Sequence, residues 1–149
     1  MPTKPNNKLE IREIKNKTEL EECFEIRRIV FVMEQNVSKE LEWDGLDNQP
    51  TTTHIIVKAG KKTVGCSRIR FVDSYAKLER IAILSEYRGN GYGKRLIKFM
   101  VDICKKKKVK TIKMHAQYYL LEYYKKLGFI PFGKKFDEAG IEHIEMRIE

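Results

Sequence analysis

Three glycines at alternate positions, Gly89, Gly91 and Gly93, stand between an apolar run ending at Leu84 and a helical pattern. Glycine lets a chain turn sharply and approach a ligand without a Cβ in the way. The amides of Arg88, Gly89, Asn90, Gly91, Tyr92, Gly93 and Lys94 can then line one concavity. The helix start behind them adds positive partial charge. This is a cradle for a diphosphate, with Arg88 and Lys94 as charges at its rim. Two other phosphate loops fail on spacing. Gly93-Lys94 is followed by Arg95, so the hydroxyl of a P-loop is missing, and Arg88 takes the place of its first glycine. The third glycine of a GxGxxG turn would fall on Lys94 or Leu96. The remaining alternative is a Gly-rich turn that holds no ligand.

The elements that must position this segment follow from periodicity. Leu9-Glu-Ile-Arg-Glu-Ile14 alternates as a strand does. Thr18-Glu-Leu-Glu21 has the form of a capping box. Behind it Leu20, Phe24, Arg27 and Phe31 recur at helical spacing, which predicts a helix from Thr18 to Met33. Residues 34–52 read as a loop with room for a short helix. Runs 54–59, 63–72 and 75–84 predict an antiparallel meander with tight turns. A helix to about Lys107 carries Leu96, Ile97, Met100, Val101 and Cys104 on one face. A strand over 109–117, a helix over 118–127 stopped by Gly128, and strands over 129–136 and 142–148 complete the order. Strands and helices mix without strict alternation, so a mixed α/β sheet is expected. The whole chain, 1–149, reads as one domain with residues 1–7 as a polar arm.

The 149 residues include 30 Lys+Arg and 21 Asp+Glu, a formal net charge of +9. The basic residues are spread along the chain, and Lys105-Lys106-Lys107-Lys108 sits where a helix ends and cations suit its dipole. No nucleic-acid partner is therefore expected, although the charge biases the surface toward polyphosphates. No apolar run approaches the roughly 20 residues of a membrane span, so no membrane partner is expected either. Cys23, Cys66 and Cys104 form neither a CxxC pair nor a metal spacing, which predicts a reduced, cytoplasmic protein without a metal.

Arg88-Gly-Asn-Gly-Tyr-Gly93 resembles the acyl-coenzyme A motif of the GNAT acyltransferases, Gln/Arg-x-x-Gly-x-Gly/Ala. Tyr123-Tyr-Lys-Lys-Leu-Gly-Phe129 resembles a second hallmark of the family, Phe-Tyr-x-Lys-x-Gly-Phe. Glu34-Gln35, Lys77-Leu-Glu-Arg-Ile81, His115-Ala-Gln117 and Glu138-Ala-Gly-Ile-Glu-His143 resemble its ElaA-type branch. The resemblance implies the GNAT fold: a twisted, mostly antiparallel sheet flanked by helices and split between its fourth and fifth strands.

It also implies an N-acetyltransferase that uses acetyl-coenzyme A and the primary amine of a small molecule or peptide, joined by direct attack. The thioester carbonyl would lie against the backbone of Ile81, Ala82 and Ile83, where an N–H stabilises the developing oxyanion. Tyr124 falls at the position of the general acid and Gln117 beside the cofactor. Glu79 and His115 are the candidate bases. Arg28, Phe31, Trp43, Asp44 and Glu79 are the candidate acceptor contacts, with Trp43 between carboxylates as a wall for a cationic amine. A non-catalytic acyl-coenzyme A sensor and an acyl-homoserine-lactone-synthase-like enzyme are alternatives. A second copy of the chain is a candidate partner.

Overall fold

The computed structural model describes residues 8–149, so the arm expected over residues 1–7 lies outside the described residues. Strand β1 (Leu9–Glu13) leads into helix α1 (Lys17–Arg27). The helix is capped by Asn16, not Thr18. The Asn16 side chain accepts from the Glu19 amide at 2.9 Å, and the Glu19 carboxylate accepts from the Lys15 amide at 2.8 Å. That is a reciprocal cap two residues ahead of the Ser/Thr signature. Glu19 also binds Arg12 through two bonds of 2.8 Å, fastening α1 to β1.

The single helix expected as far as Met33 does not form. At Arg28–Glu34 the coil widens into a π-helical turn, and the Gln35 amide reaches the Val30 carbonyl at 3.2 Å. Ile29, Val30 and Val32 are β-branched and crowd a tight helical turn. The wider turn carries Glu34 and Gln35 away from the axis of α1, a use that π turns often serve. The short helix allowed for in the following loop is α2 (Lys39–Glu42), capped by Ser38.

The sheet contains β2 (Thr52–Ala59), β3 (Lys62–Val72), β4 (Tyr75–Ile83), β5 (Thr111–Gln117), β6 (Ile130–Glu138) and β7 (Ile141–Ile148). Its order is β1-β2-β3-β4-β5-β7-β6, and only β4 and β5 run parallel. Their crossover is helix α3 (Tyr92–Lys106). The last helix, α4 (Leu121–Lys126), is shorter than expected because Tyr118–Leu120 form a 3-10 turn.

Each face of the sheet has its own core. Ile55, Val57, Val64, Ile69, Leu78, Met114 and Met146 pack with Leu96, Ile97, Met100 and Cys104 of α3. Ile56, Cys66 and Ala82 pack with Cys23 and Ile26 of α1 and with Val30. Alternate residues of β2 therefore serve both cores, as a strand buried on both faces must. Cys104 fills the apolar helix face expected of it, Cys23 is buried on α1, and all three cysteines are free.

The β4–β5 pairing runs only from Tyr75 opposite Thr111 to Leu78 opposite Met114. Beyond that point the strands part. The split expected between the fourth and fifth strands is present. Glu79 and His115 are the first residues past the fork.

Candidate active site

Strand β4 ends at Ile83, makes a 3-10 turn at Ser85–Tyr87, and enters the glycine segment. Gly89 and Gly91 have φ of +83° and +79°, and α3 begins directly after Gly91 with no side-chain cap. Only glycine adopts this left-handed backbone without strain. The Arg88 amide bonds back to Ser85, and the first bond into the helix is Arg95 to Gly91. Among the described residues, the amides of Gly89, Asn90, Gly91, Tyr92, Gly93 and Lys94 have no protein acceptor. A helix start that leaves its donors open is a ready anion site. The expected cradle is therefore uncapped.

Arg88 does not stand as a free charge on its rim. Its Nε donates to the Ile83 carbonyl at 2.8 Å, and its terminal nitrogen meets Glu34 at 2.6 Å. The guanidinium thus braces the end of β4 against the π turn. Next to it, the Gln117 side chain donates to Gln35 at 2.9 Å. Glu34 and Gln35 therefore touch both lips of the fork. Tyr92 stacks on Tyr87, and Lys94 is exposed.

Strand β4 carries a bulge where the thioester was expected. Cys66 pairs with Ala82 and Arg68 with Glu79, so Ser67 alone faces both Arg80 and Ile81. Arg80 has φ +57°, an arginine in the left-handed region. Such residues cost on the order of 1–3 kcal/mol and persist where the surroundings hold them. Here the Arg80 guanidinium is held by Asp44 at 3.1 Å, Glu42 at 3.1 Å and the carbonyls of Leu41 and Glu42. Ser67 Oγ is buried beside this bulge without a partner among the described residues. Gly65 is also required, since a Cβ there would meet the Ala82 carbonyl at 2.8 Å.

His115 and Gln117 alternate with Met114 and Ala116, which belong to the α3-side core, so they face the opposite side. His115 Nδ1 lies 2.8 Å from Glu138, and its ring meets Phe136 edge-on at 4.9 Å. Tyr124 is buried on the α3 side, with Tyr123 at 5.2 Å and Phe129 at 6.0 Å between ring centres. Burial pushes its phenol well above the ordinary tyrosine value. Its neighbour Tyr123 brings a hydroxyl to the head of α3, 3.5 Å from where a Gly93 Cβ would stand.

Residues 17–149 match the family model of the acetyltransferase (GNAT) domain. The chain belongs to the GNAT acetyltransferase family. It is 38% identical over 133 residues to the uncharacterized N-acetyltransferase YjcF of Bacillus subtilis, covering 89% of this chain and 94% of that one. The solved structure of Escherichia coli ElaA superposes with a TM-score of 0.86 at 26% identity, covering 94% of this chain and 99% of the other. A GNAT acetyltransferase from Elizabethkingia anophelis, solved with acetyl-CoA bound, shares the fold at TM-score 0.74 and 19% identity, over 98% and 99% of the two chains. The ElaA-type branch read from the motifs agrees with these matches.

The residues expected on the acceptor side of this GNAT domain are tied into an ion-pair network. The carboxylates around Trp43 are already taken. Glu42 binds Arg27 at 2.7 Å, Asp44 binds Arg68 at 2.6 Å, and Asp47 binds Arg27 at 2.7 Å and Arg68 at 2.9 Å. Trp43 packs edge-on to Phe24 at 5.4 Å, with the Arg27 guanidinium 4.9 Å from its ring centre. Asp44 and Trp43 thus pin the loop to buried arginines. Arg28 is exposed and bound to Glu25, while Phe31 packs against the α1-side core. The arginine that matters in this segment is Arg27, at 1% exposure.

Glu79 is likewise held by cations. Its carboxylate meets Arg68 at 2.8 Å, Arg70 at 2.7 Å and Lys77 at 3.2 Å. Burial works to raise its pKa, but the bond from Arg70 and the charges of Arg68 and Lys77 outweigh it and hold it at about 2. A carboxylate so stabilised is a weak proton acceptor. Glu79 fastens the arginines of β3 to the fork, and His115 remains as the candidate base. Among the described residues no cluster of His, Cys, Asp or Glu has the form of a metal site.

Proposed function

We propose that this GNAT domain moves an acetyl group from acetyl-coenzyme A to a primary amine of a small molecule or peptide, with both substrates bound together. The observation that carries this reading is the row of open amides, Gly89 to Lys94, at the head of α3 beside the forked strands. These donors and the helix start would hold the diphosphate of coenzyme A. Ser67 Oγ of β3, buried without a partner among the described residues, faces the bulge at Arg80-Ile81 of β4 and leaves a polar group unsatisfied beside the fork. When bound, acetyl-coenzyme A supplies an activated acyl thioester. The acetyl-CoA-bound relative is consistent with this ligand.

The chain's own residues would then do three things. A main-chain N–H within Arg80–Ile83 would stabilise charge on the carbonyl oxygen, a donor typically worth about 3 kcal/mol of barrier. His115 would take a proton from the amine. Tyr124 would donate a hydrogen bond to the leaving sulfur. Since an ordinary thiol titrates near 8.5 and burial raises Tyr124 further, full transfer of its proton to the thiolate is uphill. Tyr124 therefore acts as a fixed donor, and the thiolate draws its proton from those the amine releases.

The test is release of free thiol from acetyl-coenzyme A across a panel of primary amines. Turnover is expected with at least one amine, and Tyr124→Phe is expected to lower kcat at least tenfold with coenzyme A affinity within a few-fold of the parent. Equal turnover by the variant would remove Tyr124 from the chemistry. Tight coenzyme A binding with no turnover for any amine would favour a sensor.

A further inference from the structure

His115 is the first residue of β5 past the fork, and its partner comes from the far edge of the sheet. Strand β6 pairs with β7 as Phe132 opposite Glu145, then shifts register, and resumes as Phe136 opposite His143. Gly133, at φ +83°, lies inside that irregularity. The hairpin closes through Ala139 and Gly140, both left-handed at +55° and +79°. This two-residue turn suits a tight antiparallel hairpin. Its last β6 residue, Glu138, is brought within 2.8 Å of His115 Nδ1.

We propose that Glu138 is a positioning residue for acyl transfer, holding His115 with its proton on Nδ1 so that Nε2 is the nitrogen that accepts. This rests on the reading of His115 as the base. Three observations carry it. A carboxylate can only accept, so the Nδ1 it binds must carry the hydrogen. Among the described residues Nε2 has no partner. The ring is also fixed sideways, because Phe136 packs its edge at 4.9 Å and His143 stacks behind Phe136 at 6.0 Å. His143 does not compete for the carboxylate through its own Nδ1, which donates to the Ile141 carbonyl at 2.7 Å.

The charged groups around the pair are Lys77 of β4, His143 and Glu145 of β7 and Glu138 itself. Glu145 is the register neighbour of His115 and is bound to Arg147. The bond from His115 holds the Glu138 carboxyl below the usual carboxylate range, with His143 and Lys77 adding to the effect. The pair is also half-exposed, and ion pairs of that kind contribute little to folding. Its loss is therefore expected to alter chemistry and leave the fold intact.

The proton balance gives the dyad its task. An alkyl ammonium loses two protons as its nitrogen forms the bond to the acyl carbon and the carbon–sulfur bond breaks. One proton ends on the departing thiolate. The other passes through His115 Nε2 to solvent. A base fixed in one tautomer serves each turnover without rearranging, and the wrong tautomer presents a donor where an acceptor is required.

The experiment has two readouts on the full chain with histidine labelled by 15N. Tautomers are read from nitrogen shifts across pH, and kcat/KM is read across pH with the best amine of the panel. In the parent, neutral His115 is expected to be Nδ1-protonated. Glu138→Ala is expected to return it to a mixture of tautomers and to lower kcat/KM at least tenfold. Glu138→Gln keeps an acceptor oxygen, so it is expected to retain the tautomer and recover part of the loss. An unchanged tautomer and an unchanged kcat/KM in Glu138→Ala, with the backbone spectrum intact, would overturn the proposal. If the parent turned over no amine, the enzyme reading would fail, and a tautomer unaffected by Glu138→Ala would separately remove the dyad.

Discussion

Gly91→Val is expected to weaken coenzyme A binding at least about a hundredfold, measured by calorimetry on the folded protein. A hundredfold change corresponds to about 2.7 kcal/mol. The cause lies in the backbone, since nothing lies within 4 Å of where a Cβ at Gly91 would stand. The residue sits at φ +79° as the last position before α3, and a β-branched side chain is a genuine outlier there. The loop would have to refold to relieve it, and the open amides on either side would leave their common direction. Gly91→Ala is expected to do the same to a lesser degree. Unchanged affinity in Gly91→Val would remove the cradle as the diphosphate site.

Arg68→Met should have the second large effect, on stability. Arg68 is fully buried, at 0% exposure, and binds Asp44, Asp47 and Glu79 together. Methionine keeps much of the volume but leaves three carboxylates short of a cation. Breaking one side of a buried ion pair typically costs about 3–5 kcal/mol. A fall of this size in chemical denaturation, with an unchanged dependence on denaturant, is the expected result. Loss of less than about 1 kcal/mol would mean the network contributes little.

The same network sets the acid limit of the parent. Glu79 has a folded pKa of about 2 against an ordinary 4.5. A depressed carboxylate contributes stability that is complete above about pH 4.5 and is lost as pH falls toward 2. The melting temperature should therefore drop across that window, and less steeply in Arg68→Met.

The strands and the crossover helix were legible because their periodicities of two and 3.6 residues are set by burial on the two faces of the sheet. The turn at the head of α3 was legible because alternate glycines before a helix mark a backbone that must take left-handed positions, as Gly89 and Gly91 do. Position in space was not legible. Glu138 was read only as part of a terminal motif, since a register shift between Phe132 and Phe136 decides that it meets His115, 23 residues earlier. Arg80 gives no sign of a left-handed backbone, because arginine is not glycine and the acids that hold it lie in another loop. Arg27 already stood on the helical stripe with Leu20, Phe24 and Phe31, but its burial against Glu42 and Asp47 depends on a loop whose path the pattern does not give. The helix cap was missed for a simpler reason: Asn16 caps as well as Ser or Thr and lies two residues earlier.

The central claim is that the amides of Gly89 to Lys94 grip the diphosphate of coenzyme A. Backbone amide spectra of the 15N-labelled protein, titrated with coenzyme A and separately with dephosphorylated pantetheine, test it most directly. The amides of Gly89, Asn90, Gly91, Tyr92, Gly93 and Lys94 should shift strongly with coenzyme A and weakly with pantetheine. If they stayed in place while resonances elsewhere moved, the diphosphate would bind at another site and the account would be wrong.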